Sequence, residues 1–213
     1  MIGEKINHNL LNLDAAQELL KSFDLFDKPV KVVVAIAGES GSGKTHMATA
    51  LQAALETNAI SACVLHMDDF FFLPPASNHA QRLNDITHVG PQEVNIELLN
   101  SLIADFKSNE NHFTVPTVDY YANSISQSNL ELGSVQVLII EGTYSFFLQN
   151  SDFNLFMSRD FTQTTELRLA RNRGNEAQDE FVERVLKIEH EIIAKQASKA
   201  DAFIDYHFKL QLK

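Results

Sequence analysis

Gly38-Glu39-Ser40-Gly41-Ser42-Gly43-Lys44-Thr45 stands directly after the apolar run Val32-Val33-Val34-Ala35-Ile36-Ala37. It matches the pattern G-x-x-x-x-G-K-S/T at every fixed position. Gly38, Gly41 and Gly43 let the backbone curl, so that the N–H groups of Glu39, Ser40, Ser42 and their neighbours converge on one concavity around phosphate oxygens. Lys44 is then placed to reach the β- and γ-phosphates, and the Thr45 hydroxyl to sit on Mg²⁺. Met47, Ala48, Leu51 and Leu55 follow at helical spacing, which supplies a helix whose N-terminus faces the same anion. A buried strand, a glycine loop and an amphipathic helix in that order imply a nucleoside triphosphate site on an α/β sheet.

Composition narrows the class. With 213 residues, 45% of them hydrophobic, the chain suits a single α/β domain over 1–213 with a small lid. Its apolar runs are of strand length, so no membrane span is expected. Met1 to Leu13 lacks a basic region followed by a continuous apolar segment, which argues against a signal peptide. The single cysteine, Cys63, excludes an internal disulfide framework and fits the cytoplasm. A net charge of -11 argues against a nucleic-acid partner, because phosphate backbones are bound by excess Lys and Arg.

Along the chain, Leu13, Ala16, Leu19, Leu20 and Phe23 predict a helix over Leu10 to Phe26, with Asp14 as a cap. Ile60 to Met67 reads as a second buried strand, followed by Asp68-Asp69-Phe70-Phe71-Phe72. Ligands of open parallel sheets bind outside the carboxyl ends of strands. There Asp68 is placed to accept the proton of an attacking hydroxyl, and Asp69 to help hold Mg²⁺ through water. The phenylalanines suit the core, with Phe70 the candidate for lining an acceptor pocket. Ala76 to Gly90 is polar and irregular, predicted as a mobile segment carrying Arg82 over that pocket. Pro91 opens a helix over Gln92 to Lys107. Val115 to Tyr121 is extended, its proline arguing against a central strand, and Ser124 to Gly133 is polar connection.

Val135 to Ile140 is another buried strand, ending in Glu141, where an acid can orient the water shell of Mg²⁺. Asn154 to Met157 is a short strand. Thr164 to Arg173 reads as a helix running into a lid near 168–180, with Arg168, Arg171 and Arg173 as a local basic cluster suited to charge on a transferring phosphoryl group. Asp179 to Lys199 is a long helix with Phe181, Val185, Ile188 and Ile192 as its core stripe. His190-Glu191 is no zinc site, because position 194 is alanine. Ala200 to Tyr206 is expected as the final edge strand.

No N-K-x-D element marks a GTPase, and no L-S-G-G-Q signature marks a transport ATPase. A small-molecule kinase remains. From Val32 to Tyr206 the chain resembles the uridine kinase and phosphoribulokinase family: G-E-S-G-S-G-K-T at Gly38, M-D-D-F-F at Met67, P-T-V-D-Y at Pro116, I-I-E-G at Ile139, E-L-R-L-A-R at Glu166 and A-D-A-F-I at Ala200. The resemblance implies a three-layer α/β/α phosphate-loop fold around a five-stranded parallel sheet, with ATP and Mg²⁺. It implies Asp68 as catalytic base, Glu141 as the acid near the metal, Arg168 and Arg171 as lid arginines on phosphates, and Asp119, with Tyr120 beside it, in the acceptor pocket.

The acceptor half departs from that family. Val118 stands where uridine kinases carry a tyrosine, Asn123 near a histidine position, Ile125 at an arginine position, and Val89-Gly90-Pro91-Gln92-Glu93-Val94-Asn95 replaces D-H-P-D-A-F-D. A site that loses such partners loses orders of magnitude toward its substrate. The expected activity is therefore phosphoryl transfer from ATP to a hydroxyl of a nucleoside, sugar or related metabolite. A nucleotide kinase acting on a phosphate and a non-enzymatic nucleotide-binding switch are the alternatives. The acceptor, any homo-oligomer and any effector are not legible in the sequence.

Overall fold

A computed structural model describes residues 10–23, 31–165, 168 and 179–213. The strands are β1 (Val32–Gly38), β2 (Ala62–His66), β3 (His112–Asp119), β4 (Ser124–Glu131), β5 (Val137–Glu141), β6 (Phe153–Met157), β7 (Ala202–Ile204) and β8 (Leu210–Leu212). The helices are α1 (Leu10–Ser22), α2 (Lys44–Thr57), α3 (Pro75–Asn84), α4 (Ile96–Lys107) and α5 (Glu180–Gln196), with Thr165 and Arg168 also helical.

A six-stranded sheet runs in the order β2-β5-β1-β6-β7-β8. Every pair in it is parallel except β7 with β8. All seven residues of β1 are buried, because helices cover both faces of the sheet. Alternation along the strand divides the core. Val32, Val34 and Ile36 point to one side, onto Ala16 and Leu19 of α1 and Met47, Leu51 and Leu55 of α2. Val33 joins Leu138 and Ile140 on the other side, against Leu99, Ile103 and Phe106 of α4. Chain order and strand order part company at β1, whose neighbours are β5 and β6. The carboxyl ends of β1, β2, β5 and β6 thus open on the crevice where such sheets bind ligands.

The expected five parallel strands are present, and the structure corrects the periphery. The first helix ends at Ser22, with Phe23 already outside it, short of the expected Phe26, and 24–30 lie outside the described residues; Asp14 sits inside α1 and is not its cap. Pro75–Asn84 is a regular helix rather than an irregular segment, opened by a proline at its first position. Pro91–Glu93 forms only a 3₁₀ turn, and α4 starts after Asn95, whose side chain accepts the Leu98 N–H. Ser124–Glu131 is a strand, paired antiparallel with β3 from His112↔Glu131 to Asp119↔Ser124. Pro116 is tolerated there because both strands of a two-stranded ribbon are edges, where a missing N–H costs no ladder bond in a central position. The outermost strand is β8, antiparallel to β7, so the stretch at Ala202 is one place in from the edge.

On α5 the buried face carries Val185, Leu186, Glu189 and Ile193, turned from the expected stripe of Phe181, Val185, Ile188 and Ile192. A carboxylate inside that face needs a partner, and Arg82 of α3 supplies it. No helix among the described residues is long and apolar enough to cross a membrane.

Candidate active site

The phosphate loop begins where β1 ends. Gly38, Gly41 and Gly43 all have positive φ, at 153, 78 and 100°. Space reinforces conformation at Gly41: a Cβ added there would lie 2.9 Å from both Arg168 Cγ and Thr164 Cβ. Gly43 precedes α2 without any side-chain cap, so the first N–H groups of that helix are turned toward the loop. Lys44 Nζ donates to the Glu39 carbonyl at 2.9 Å, across the loop. Ser42 Oγ is buried and, among the described residues, has no hydrogen-bond partner.

Parallel register brings the next residues together. Glu141 of β5 lies opposite Ile36 of β1 and His66 of β2. Its Oε1 accepts from Thr45 Oγ1 at 3.0 Å and meets His66 Nδ1 at 2.8 Å. Glu141 is only 3% exposed. Burial would raise its carboxyl pKa, but the His66 hydrogen bond, the Lys44 charge and the Thr45 hydrogen bond outweigh it and hold the group below its usual value. The converse holds at His66, where burial favours the neutral ring and Glu141 overcomes it, raising the pKa. Gly142 keeps this corner close: a Cβ there would come within 2.3 Å of Met67 Cβ.

After β2 a 3₁₀ turn, Met67–Phe70, carries the two acids. Asp68 Oδ2 accepts from the Tyr120 hydroxyl at 3.4 Å. Asp69 is buried and its Oδ1 accepts the Val118 N–H at 2.8 Å, fastening β3 beneath the turn. Phe70, expected at an acceptor pocket, is 2% exposed and belongs to the core with Leu65, Met67 and Val94. Asp119 closes the hairpin turn by accepting the N–H groups of Tyr121 and Ala122.

The segment after β6 wraps the loop. Thr164 Oγ1 donates to the Ser40 carbonyl at 2.9 Å. Arg168 is 6% exposed, and its guanidinium donates to Thr164 Oγ1, Thr165 Oγ1 and the Phe161 carbonyl. Among the described residues no carboxylate pairs with it. Arg171 and Arg173 lie outside the described residues.

Several contacts here were missed in the sequence. Glu39, within the loop, accepts the Phe161 N–H through Oε2 and meets His190 Nδ1 of α5 through Oε1, both at 2.6 Å. Arg82 is on a helix, α3, rather than in an irregular segment, and is bound to Glu93 and Glu189. Glu189 lies off the expected stripe of α5, so nothing in the sequence signalled that pair. His66, two residues before Asp68, gave none, because a histidine at a strand end is ordinarily a surface group.

Residues 33–208 match the model of the Phosphoribulokinase / Uridine kinase family. The chain belongs to this family. Among similar proteins, the bifunctional alpha-galactosidase/sucrose kinase of Mediterraneibacter gnavus is 27% identical over 186 residues, 82% of this chain and 20% of that protein. A uridine kinase of Ureaplasma parvum is 28% identical over 116 residues, 54% of this chain and 55% of its own length. The chain thus spans about a fifth of the one and about half of the other. Phosphoribulokinase from Rhodobacter spheroides shares the fold, with a TM-score of 0.63 at 13% identity over 82% of this chain and 70% of that one.

Proposed function

We propose that the protein is a kinase that transfers the γ-phosphoryl group of ATP to a hydroxyl of a small metabolite. The observation that carries this is the convergence of Lys44, Thr45 and Glu141 at the phosphate loop with Asp68 on the neighbouring strand end. The loop fits a triphosphate: its glycines leave room that a Cβ would fill, α2 opens uncapped toward it, and Ser42 Oγ has no hydrogen-bond partner among the described residues. Thr45 and Glu141 suit Mg²⁺, which takes few protein ligands and keeps several waters. Bound with the nucleotide, that ion would supply charge neutralisation on the triphosphate.

The chain's own residues then have separate duties. Lys44 leaves the Glu39 carbonyl for the γ-phosphate. Asp68 takes the proton of the acceptor hydroxyl as its oxygen forms the new bond to phosphorus and the bond from phosphorus to the β-phosphate oxygen breaks. ADP leaves with that electron pair. Arg168 sits on the loop without a carboxylate partner among the described residues and balances charge on the moving group. We assign Arg171 and Arg173 the same duty toward the phosphates. Most of the acceleration is positioning and charge stabilisation.

The test is ATP turnover against a panel of nucleosides, sugars, pantothenate and glycerate, with Lys44→Ala as blank. One acceptor should raise turnover well above the blank. Asp68→Asn should then lower kcat by about 10²- to 10⁴-fold while nucleotide affinity stays near wild type. A matching loss of ATP affinity would refute the base assignment.

A further inference from the structure

Glu39 is an acid inside a loop shaped for phosphates, where a carboxylate left to itself opposes a ligand of the same sign. Its side chain is only 8% exposed, and both of its oxygens are taken. Oε2 accepts the Phe161 N–H and Oε1 meets His190 Nδ1, each at 2.6 Å. Bonds that short are the mark of charge-assisted contacts. Phe161 and His190 also meet each other edge-on, their ring centroids 5.7 Å apart. The three residues close a triangle whose corners come from the phosphate loop, the segment after β6 and α5.

Around this triangle the loop and α5 have little else to join them. Ser40 of the loop and Glu189 of α5 both line a cavity of about 140 Å³, so the two elements are not packed together at those residues. Contact passes to their neighbours, Glu39 and His190. The same residue is also where the loop turns. The Glu39 carbonyl accepts the Ser42 N–H at 3.1 Å and Lys44 Nζ at 2.9 Å, and the next carbonyl, of Ser40, accepts from Thr164 Oγ1. A trans peptide is planar, so fixing these carbonyls also fixes the N–H groups of Ser40 and Gly41. Glu189, beside His190, is bound to Arg82 of α3 at 3.1 Å, so the histidine is presented by an anchored helix.

We propose that Glu39 and His190 are positioning residues for the nucleotide. His190 occupies the loop's own carboxylate and, through it, holds the backbone N–H groups in the arrangement that receives phosphate oxygens. The proposal rests on the nucleotide half of the kinase function above. Without His190 the carboxylate keeps a single donor, and its charge stands against the triphosphate. Without Glu39 that charge is gone, but the loop is released from α5. Both losses concern one contact, so they do not add.

Calorimetric binding of Mg-ATP to this chain tests the proposal separately from turnover. His190 is 43% exposed, so truncating it leaves no buried hole. His190→Ala should raise the Kd for Mg-ATP about tenfold, while kcat at saturating nucleotide stays within about twofold. His190→Asn, whose amide can donate from the place of Nδ1, should return Kd to within about threefold of wild type. The double variant Glu39→Ala with His190→Ala should bind no more weakly than the weaker single variant. A wild-type Kd in His190→Ala, a kcat that falls as far as affinity does, no rescue by asparagine, or losses that add would each overturn the proposal and leave the kinase function standing. The expected pattern in a chain that phosphorylates no acceptor supports the proposal and overturns the kinase function alone. No binding of Mg-ATP to the wild type overturns both.

Discussion

Glu141 and His66 show how a side chain's chemistry is set by its neighbours. The His66 pKa is raised above its ordinary 6.5 by Glu141, against burial. Its contribution to stability is therefore complete below about pH 6.5 and fades as pH climbs through the folded value. Glu141 is held below its ordinary 4.5, so its contribution is complete above that value and is lost as pH falls through the lower folded one. The pair stabilises most between those limits. His66→Asn should lower the urea midpoint clearly at about pH 6, and the gap to wild type should narrow by about pH 9. A gap independent of pH would show that packing, not charge, holds His66. Glu141 was legible as an acid at a strand's carboxyl end. Its partner was not, since sequence separation says nothing of the register that sets Glu141 opposite His66.

Among the elements, α3 and the β3–β4 hairpin decide the shape of the proposed acceptor side, and α3 and β4 were misread. Pro75–Asn84 carries no apolar stripe, and its one buried residue is Asn78. Its helicity depends on partners elsewhere: Glu93 takes Asn78 and Arg82, and the Asn123 side chain accepts the Ala76 N–H at 2.8 Å. Asn123 thus caps a helix from the hairpin turn, 47 residues away. Asn123→Ala should cost about 0.5–2 kcal/mol of local stability. Amide exchange in the first turn of α3 should quicken, while exchange in β1 stays as in wild type; unchanged protection at Ala76 would exclude the cap. The hairpin hid for a related reason. β4 is mostly exposed, so it lacks the apolar alternation by which a strand is read.

For the whole molecule, the site is a property of the sheet's carboxyl edge, to which four strand ends contribute. The loop is tied to the C-terminal half by Thr164 on Ser40 and by His190 on Glu39. A nucleotide seated there should stabilise the entire fold by mass action. At about 100 times Kd the gain is about 2.7 kcal/mol. Thermal unfolding should accordingly shift upward with Mg-ATP in the wild type and far less in Lys44→Ala. An equal shift in both proteins would place nucleotide binding away from the phosphate loop.

The sequence by itself determined the strand–loop–helix at Val32 to Leu55, the acids at the ends of β2 and β5, and the parallel α/β class. These are local: glycine spacing, helical periodicity and strand-length apolar runs report on backbone conformation within a few residues. Only the tertiary structure decided that Phe70 is core and that Asp69 fastens β3. It alone placed Arg82 between Glu93 and Glu189. Those outcomes depend on which segments meet. A charged or aromatic side chain takes its role from the groups brought against it, and in this fold they come from 11 and 107 residues away.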